Sequence, residues 1–351
     1  MLCERPVNTD LRDDPLPSTA LGRRVASWLN DPRDVPFVYL MAQCLAFQVF
    51  AVGLFFLGDS AWLAAPIYWA AWGFGFVDRF ILMLHCTSHR KLFRNRHLNQ
   101  LIPWAIGPFF GQTPETYYAH HMGMHHPENN LGTDLSTTIR YQRDSVRGWL
   151  HYFARFLFVG VPALARYHRD NGNRKLLRRF VVGESTFWVT SGALLLVNWQ
   201  AALIVFVVPV VTIRALMMAG NWGQHAFVDT RDAGNAYRNS ITCINTRYNR
   251  RCFNDGYHIL HHIKPRTHFS EYPAEFEANK AEYGRQDAIV FEGIDFFQVW
   301  LFLMLGRHDW LAKRMVRLPG APVRDQQETV AFLKSRLLPA TAEADLTMSA
   351  K

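Results

Sequence analysis

Residues 120–126 read His120-His121-Met122-Gly123-Met124-His125-His126 and place four imidazole side chains within seven residues. Neutral imidazole is the commonest transition-metal ligand among protein side chains. If the stretch is helical, His121 and His125 lie one turn apart on one face, and His126 lies beside them. The stretch therefore predicts a metal site, around which the rest of the chain is organised.

Two further histidine clusters occur in the chain. One is the pair His85 and His89, and the other consists of His258, His261 and His262. A single histidine in apolar surroundings is usually a packed core residue. Three clusters, each at helical spacing and each near the end of an apolar segment, are difficult to explain by packing. Together they favour a metal centre assembled from several segments.

Long apolar segments indicate an all-α integral membrane protein. About 20 apolar residues are needed for a helix to cross the hydrocarbon core. Four segments meet this requirement, and we expect them to form two hairpins of transmembrane helices: Phe37–Leu57, Ala61–Leu84, Phe180–Trp199 and Ala201–Gly220. The histidine clusters lie outside these spans, which predicts a cytosolic helical cap that carries them.

Shorter apolar stretches are expected at the membrane surface because they are interrupted by proline or charge, or are too short to span. They are Leu101–Gly111, Tyr152–Ala165 and Ile294–Leu305. The sequence then divides into three parts. These are a cytosolic segment at 1–36, a membrane domain at 37–275 and a second cytosolic segment at 276–351.

The charge distribution favours a membrane topology over nucleic-acid binding. The chain has 38 Lys and Arg against 29 Asp and Glu, which gives a formal net charge of +9. All but two of the basic residues lie in residues 1–36, 85–179 and 220–351. The short connections between paired spans contain none. By the positive-inside rule, both chain ends and the histidine clusters are expected in the cytosol, most simply at a bacterial inner membrane.

The number of histidines suits two metal ions. The three clusters contribute eight imidazoles, and His225, one turn after Asn221, adds a ninth. One zinc ion takes four protein ligands at most, so nine fit two ions with open positions. A wholly neutral ligand shell leaves the charge of two ferrous ions largely uncompensated, which suits the binding and reduction of dioxygen better than a structural role.

These residues resemble the motifs of the integral-membrane fatty acid desaturase and hydroxylase superfamily. The resemblance covers residues 37–275, and the matching motifs are His85-x-x-x-His89, His121-x-x-x-His125-His126, Asn221-x-x-x-His225 and His258-x-x-His261-His262. It implies a non-haem enzyme with two iron ions (Fe²⁺/Fe³⁺) and O₂ as co-substrate. The implied substrate is a fatty acyl chain in a narrow apolar tunnel, from which a hydrogen is abstracted at an unactivated C–H bond.

The resemblance also implies a role for each motif residue. Nine histidines would bind the two irons, and Asn221 would contribute through a water molecule. His120 is an alternative to His121, because an HxxxxHH spacing can also be read, and His268 lies outside the motifs. Asp134 and Asp255 are candidates to orient imidazole N–H groups.

Departures from the common pattern leave the reaction open. The second cluster has HxxxHH spacing after Tyr117-Tyr118-Ala119, whereas many acyl desaturases have HxxHH after Trp-Arg. We expect desaturation first. Hydroxylation is an alternative, as is oxidative decarboxylation of medium-chain free fatty acids to terminal 1-alkenes. A basic side chain would hold the free carboxylate in the last case, and the candidates are Arg79, Arg247, Arg250 and Arg251.

The sequence also predicts that the electron donor is a separate protein. No His-Pro-Gly-Gly haem motif occurs, so electrons are expected from a separate protein such as a ferredoxin with its reductase. A basic cytosolic face can steer an acidic donor.

A membrane metal transporter is the alternative functional class. Transport sites normally lie near the bilayer midplane, whereas these clusters lie outside the spans.

Overall fold

The computed structural model describes residues 7–12 and 16–340 of the 351-residue chain. Residues 1–6, 13–15 and 341–351, which belong to the predicted cytosolic end segments, lie outside the described part. The described chain is mostly helical. Its α-helices are α1 (Ala20–Ala26), α2 (Val35–Leu54), α3 (Ala61–Ala70), α4 (Asp78–His89), α5 (Thr116–His120), α6 (His126–Glu128), α7 (Val146–Asp170), α8 (Arg174–Val197), α9 (Trp199–Ala202), α10 (Val208–Gln224), α11 (Ala236–Asn239), α12 (Arg247–Arg251), α13 (His258–Ile263), α14 (Tyr272–Arg285), α15 (Phe296–Met304), α16 (His308–Ala312) and α17 (Gln326–Ser335).

Wider and tighter helical turns connect several of these helices. The π-helical segments are Ala71–Val77, Leu101–Ile106, His121–His125 and Leu203–Val207. The 3₁₀ segments are Pro32–Asp34, Gly58–Ser60, Leu98–Gln100, Gly107–Phe110 and Phe269–Glu271. In the described residues the strands β1 (Thr242–Ile244) and β2 (Val290–Glu292) form one short parallel sheet. π-Helical turns inside helices are rare and often mark functional sites.

Among the described residues, four helices are long and apolar enough to cross a membrane, which confirms the predicted number of candidate spans. They are Pro32–Leu54, Gly58–His89, Arg174–Val197 and Trp199–Gln224. Large apolar side chains on them face outward, with Phe74 86% and Leu196 91% exposed. Apolar surface of this kind is stable in lipid and unfavourable in water.

The shorter apolar stretches do not form further candidate spans among the described residues. Leu101–Ile106 is π-helical, and a 3₁₀ turn at Gly107–Phe110 follows it. The predicted surface helix is longer than expected and occupies Val146–Asp170. The third stretch contains α15, whose nine residues reach only about 14 Å at 1.5 Å per residue. That length is less than half of the hydrocarbon core.

The described chain divides into two compact units. Unit A comprises residues 16–123 and 162–215, and unit B comprises residues 7–12, 124–161 and 216–340. The predicted domain boundaries after residues 36 and 275 remain predictions.

In unit A the buried Glu184 pairs with Arg214, and each is a charged residue within an apolar segment. Glu184 accepts hydrogen bonds from Thr113 Oγ1 at 2.6 Å and Thr116 Oγ1 at 2.8 Å. Trp188 Nε1 donates to it at 2.9 Å, and Arg214 Nη2 at 3.2 Å. An ionisable group within a membrane segment is costly unless it is paired. The pairing therefore attaches the loop before the second histidine cluster firmly to α8.

Two glycines allow this loop to approach the neighbouring helices closely. Gly111 has a φ of 75°, and a Cβ there would collide with the carbonyl of Pro209. A Cβ on Gly183 would collide with the carbonyl of Pro114. Backbone contact at this distance leaves no room for any side chain, so both positions require glycine.

Unit B is held together by its short sheet and by a buried arginine. Cys243 lies opposite Phe291 in the parallel register of β1 and β2. Arg143 is fully buried and donates to the carbonyls of Ala226 at 2.7 Å and Leu338 at 2.7 Å. Burial lowers the pKa of Arg143 to about 9. The hydrogen bonds from its guanidinium satisfy backbone acceptors that come from widely separated parts of the sequence.

Candidate metal centre

Three histidines of unit A form one cluster. His85 and His89 occupy the last turns of α4, at the end of the second candidate span, and His121 begins the π-helical segment. The rings of His85 and His121 are 4.7 Å apart, and the Nε2 atoms of His89 and His121 are 2.9 Å apart. Their donor nitrogens all lie within 4.8 Å of one another. The helix of the second candidate span, Gly58–His89, includes His85 and His89, whereas the hydropathy pattern ends that span at Leu84.

Local packing in unit A sets the position of His121 and of Gly123, which belong to the stretch 120–126. Tyr117 stacks on the ring of His121, with centroids 5.1 Å apart and an interplanar angle of 23°. The buried His168 on α7 donates from Nε2 to the carbonyl of Ala119 at 3.0 Å, and burial lowers its pKa. A Cβ on Gly123 would lie 2.9 Å from His168 Cε1 and would also collide with Leu176. The glycine between the histidines is therefore required by packing.

Three histidines of unit B form a second cluster. His125, His225 and His262 each offer a ring nitrogen within 4.8 Å of the other two. Their ring centroids are 5.1–5.6 Å apart. His125 and His225 are buried, and His262 is partly buried. The cluster joins residues from the π-helical segment, from the end of α10 and from α13.

The remaining motif histidines of unit B are His126, His258 and His261, and each faces another motif histidine. His258 Nε2 lies 3.3 Å from His225 Nε2 and 3.0 Å from His262 Nε2. The Nε2 atoms of His126 and His261 are 3.0 Å apart. All six motif histidines of unit B thus direct a ring nitrogen towards another motif histidine.

The spacing and chemistry of these nitrogens fit a transition metal ion. Two imidazole nitrogens that each lie about 2.1 Å from one ion, at a right angle, are about 3 Å apart. The facing nitrogens in both units are 2.9–3.3 Å apart. An all-imidazole donor set suits zinc, copper, iron and nickel, and suits magnesium and calcium poorly.

Buried partners orient two of these imidazoles. Asp134 Oδ2 accepts a hydrogen bond from His125 Nδ1 at 2.7 Å, while its Oδ1 accepts from Ser136 N at 2.7 Å. His225 Nδ1 donates to the carbonyl of Asn239 at 2.9 Å. A proton on Nδ1 leaves Nε2 unprotonated and available to a metal. Asp134 therefore has the contact that the sequence predicts for it.

Burial favours the neutral form of two histidines in the unit B cluster. It lowers the pKa of His225 to about 4, and burial together with His258 lowers the pKa of His262 well below its ordinary value. Metal ions bind the neutral imidazole, since a protonated nitrogen has no lone pair to donate. At neutral pH both side chains are in the form that binds metal.

Asn221 belongs to a buried hydrogen-bond network that includes a residue missed by sequence reasoning. Its Nδ2 donates to the carbonyl of Ser136 at 3.0 Å and to the hydroxyl of Tyr152 at 2.7 Å. Tyr152 in turn donates to the same carbonyl at 3.0 Å. Tyr152 is a single tyrosine in an amphipathic stretch, so no motif or spacing distinguishes it in the sequence.

The other candidate residues lie outside the two clusters of donor nitrogens. His120 is in neither cluster, and His268 accepts at Nδ1 from Ser270 and begins a 3₁₀ turn. Asp255 Oδ2 accepts a hydrogen bond from Tyr248 at 2.7 Å.

The four arginine candidates divide between a span and a surface. Arg79 lies in the second candidate span and donates to the carbonyl of Gly75. Arg247, Arg250 and Arg251 are exposed on α12.

Comparison with known proteins identifies the class to which this membrane histidine centre belongs. The fatty acid desaturase family model matches residues 60–293, about two thirds of the chain and a region that contains all three histidine clusters. The search of curated proteins and the search of solved structures gave no match. The chain belongs to the fatty acid desaturase family. It is therefore an integral membrane oxidoreductase of the desaturase and hydroxylase type, related to fatty acyl chemistry.

Proposed function

We propose that this chain is an O₂-dependent non-haem di-iron oxidase of fatty acyl chains, and specifically a fatty acid desaturase. One observation carries the proposal. Within the region that matches the family, the motif histidines lie in clusters whose ring nitrogens face one another at metal-ligand spacing. The donor chemistry of these clusters supports a transition metal, and the family supports iron.

The proposed centre holds two iron ions on nine histidines, with Asn221 acting through a water molecule. The ligands are His85, His89, His121, His125, His126, His225, His258, His261 and His262. When bound, the iron ions supply the activation of O₂ and the abstraction of hydrogen from an unactivated C–H bond. The protein's own contribution is to fix the tautomers of imidazoles, as Asp134 and Asn239 do for His125 and His225, and burial favours the neutral form of His225 and His262.

The electron donor is proposed to be a separate acidic protein such as a ferredoxin. Desaturation supplies two of the four electrons that reduce O₂ to two waters, so two must come from a donor. The exposed Arg247 and Arg250 on α12 offer a positive surface. Beneath it, Tyr248 lies 6.4 Å from Phe296, which lies 5.8 Å from His258 by ring centroids. This surface therefore has a short aromatic connection to a proposed ligand.

We further propose that both chain ends and the histidine centre face the cytosol, at a bacterial inner membrane. The support is the distribution of charge. Lys and Arg are concentrated in the stretches that contain the clusters, and the connections between the first two and the last two candidate spans have none.

Replacing single histidines tests the proposal. We expect His125→Ala and His261→Ala to abolish oxygen-dependent turnover of acyl chains while the protein remains in the membrane. His97→Ala is the matched control, because His97 is exposed and lies outside the clusters. It should keep wild-type turnover. Full activity in both cluster variants would show that these histidines do not form the active centre.

A further inference from the structure

Residues 7–10 are bound to the segment that leads into the third histidine cluster, all within unit B. Asp10 is only 3% exposed. Its Oδ2 accepts hydrogen bonds from the backbone N of Asn245 at 2.7 Å, from Asn249 Nδ2 at 2.7 Å and from the hydroxyl of Tyr257 at 3.0 Å. The sequence places these residues in a cytosolic segment outside the membrane domain, and nothing in their pattern indicates such contacts.

The neighbours of Asp10 reinforce the attachment. Thr9 N donates to Asn245 Oδ1 at 2.7 Å, and Asn245 Nδ2 donates to the carbonyl of Val7 at 3.0 Å. Asn8 Oδ1 accepts from the hydroxyl of Tyr257 at 3.2 Å and from Asp10 N at 3.0 Å. Residues 7–10 therefore all take part in one polar contact.

The contact reaches α13, which carries the third histidine cluster, through the adjacent residues Gly256 and Tyr257. Tyr257 directly precedes His258, and its carbonyl accepts a hydrogen bond from His261 N at 3.0 Å. Asn249, which Asp10 binds, accepts from Gly256 N at 3.0 Å and donates to the carbonyl of Cys243 at 2.9 Å. Asp10 thus binds Tyr257 directly. Gly256 is bound by Asn249, which Asp10 also binds.

A buried carboxylate with three donors is a strong anchor. Hydrogen bonds to an ionised acceptor are about twice as strong as neutral ones. Removal of Asp10 would leave Tyr257 and Asn249, which are 0% and 2% exposed, without this acceptor in a buried environment. The first turn of α13 would then lose contacts that fix the positions of its histidines.

We propose that Asp10 is a positioning residue for the third histidine cluster. It binds no metal itself, and it acts by fixing Tyr257 and, through Asn249, the backbone of Gly256. The inference rests on the proposed function, since it assumes that His258, His261 and His262 bind metal. It makes residues 7–10 part of the metal centre's support.

Cobalt binding to the purified full chain tests this inference, with Co²⁺ as the probe of the metal-stripped protein in detergent. We expect Asp10→Ala to weaken Co²⁺ binding by about 10- to 100-fold and to change the cobalt absorption spectrum, as loss of a ligand-orienting partner does. Asp10→Asn keeps one acceptor oxygen and should recover most of the affinity. Leu11→Ala is the control and should stay within about twofold of the wild type, because the apolar side chain of Leu11 is exposed beside Asp10.

A double-mutant cycle identifies the route of the effect. Tyr257→Phe combined with Asp10→Ala should weaken Co²⁺ binding no more than Asp10→Ala alone, because the two residues act through one contact. The inference is wrong if Asp10→Ala lowers the thermal midpoint of the metal-free protein but leaves Co²⁺ affinity and spectrum unchanged. A wild type that binds Co²⁺ tightly but oxidises no acyl chain would contradict the proposed function and not this inference.

Discussion

The hydroxyl oxygen of Tyr152 lies 2.7 Å from Nδ2 of Asn221, at the end of a buried hydrogen-bond network in unit B. Both protons of the Asn221 amide are engaged, one by Tyr152 and one by the carbonyl of Ser136. The amide oxygen is therefore the atom that remains to bind a water molecule. Tyr152 determines which way this amide points.

We predict that Tyr152→Phe lowers turnover about tenfold and leaves iron content near that of the wild type, because outer partners of a metal site typically contribute 10- to 100-fold. Turnover and iron per chain would be measured on the same purified sample. Tyr141→Phe is the control, since the hydroxyl of Tyr141 pairs with His151 Nδ1 at 3.2 Å on the exposed side. Equal turnover in the two variants would contradict a role of Tyr152 in orienting Asn221.

The contact between Asp134 and His125 leads to a prediction about iron affinity. Asp134→Asn replaces the charged acceptor at His125 Nδ1 by an amide and weakens control of the tautomer. We expect the affinity for ferrous iron to fall about 10- to 100-fold, measured by competition with a chelator. Asp144→Asn, which alters a carboxylate that pairs with His308, should have no effect. An unchanged affinity in Asp134→Asn would remove this carboxylate from the account.

The packing of Gly123 leads to a prediction about size. A methyl group at this position collides with Leu176 and with His168. We expect Gly123→Ala to cost about 1–3 kcal/mol of stability, as overpacking commonly does, and to displace His121. Thermal unfolding and iron content in detergent would measure both effects.

A compensating change makes the prediction about Gly123 specific. Leu176→Ala removes the side-chain atom that the new methyl group meets first. The double variant should recover part of the lost stability and iron content. If it behaves as Gly123→Ala alone does, steric conflict at Leu176 is not the cause.

The proposed donor surface predicts a difference between electron sources. Arg247→Glu combined with Arg250→Glu should slow turnover driven by ferredoxin at least tenfold at low salt, because like charges then oppose encounter. Turnover driven by a small uncharged reductant should be unchanged. Arg317→Glu, a charge reversal at another exposed position of unit B, is the control. Equal slowing with both reductants would show that the arginines do not act through donor docking.

Sequence reasoning could find the histidines that cluster in the structure because histidines at helical spacing are local patterns. The number of candidate spans in the described residues follows from hydropathy along the chain, which also needs no tertiary information. The same reasoning identified Asp134 from its proximity to His125 in sequence. Each of these features lies within a few residues of the motif that reveals it.

The missed residues depend on contacts between distant parts of the chain. Tyr152 is 69 residues from Asn221, and Asp10 is 247 residues from Tyr257. The pairing of Glu184 with Arg214 likewise joins residues on two different helices, 30 residues apart in the sequence. The π-helical turn at His121–His125 was also not foreseeable, because periodicity does not distinguish it from a short α-helix over five residues.

The most direct test of the central claim is mass spectrometry of the products formed by membranes that contain this chain. Deuterated C12 and C16 fatty acids would be supplied with air and a ferredoxin reductase system, and both lipids and headspace would be sampled. The account predicts an unsaturated acyl product that lacks two deuterium atoms. A hydroxylated acid or a volatile terminal alkene one carbon shorter would assign a different reaction to the same centre. No oxidised acyl product from iron-loaded protein, in any fraction, would contradict the account.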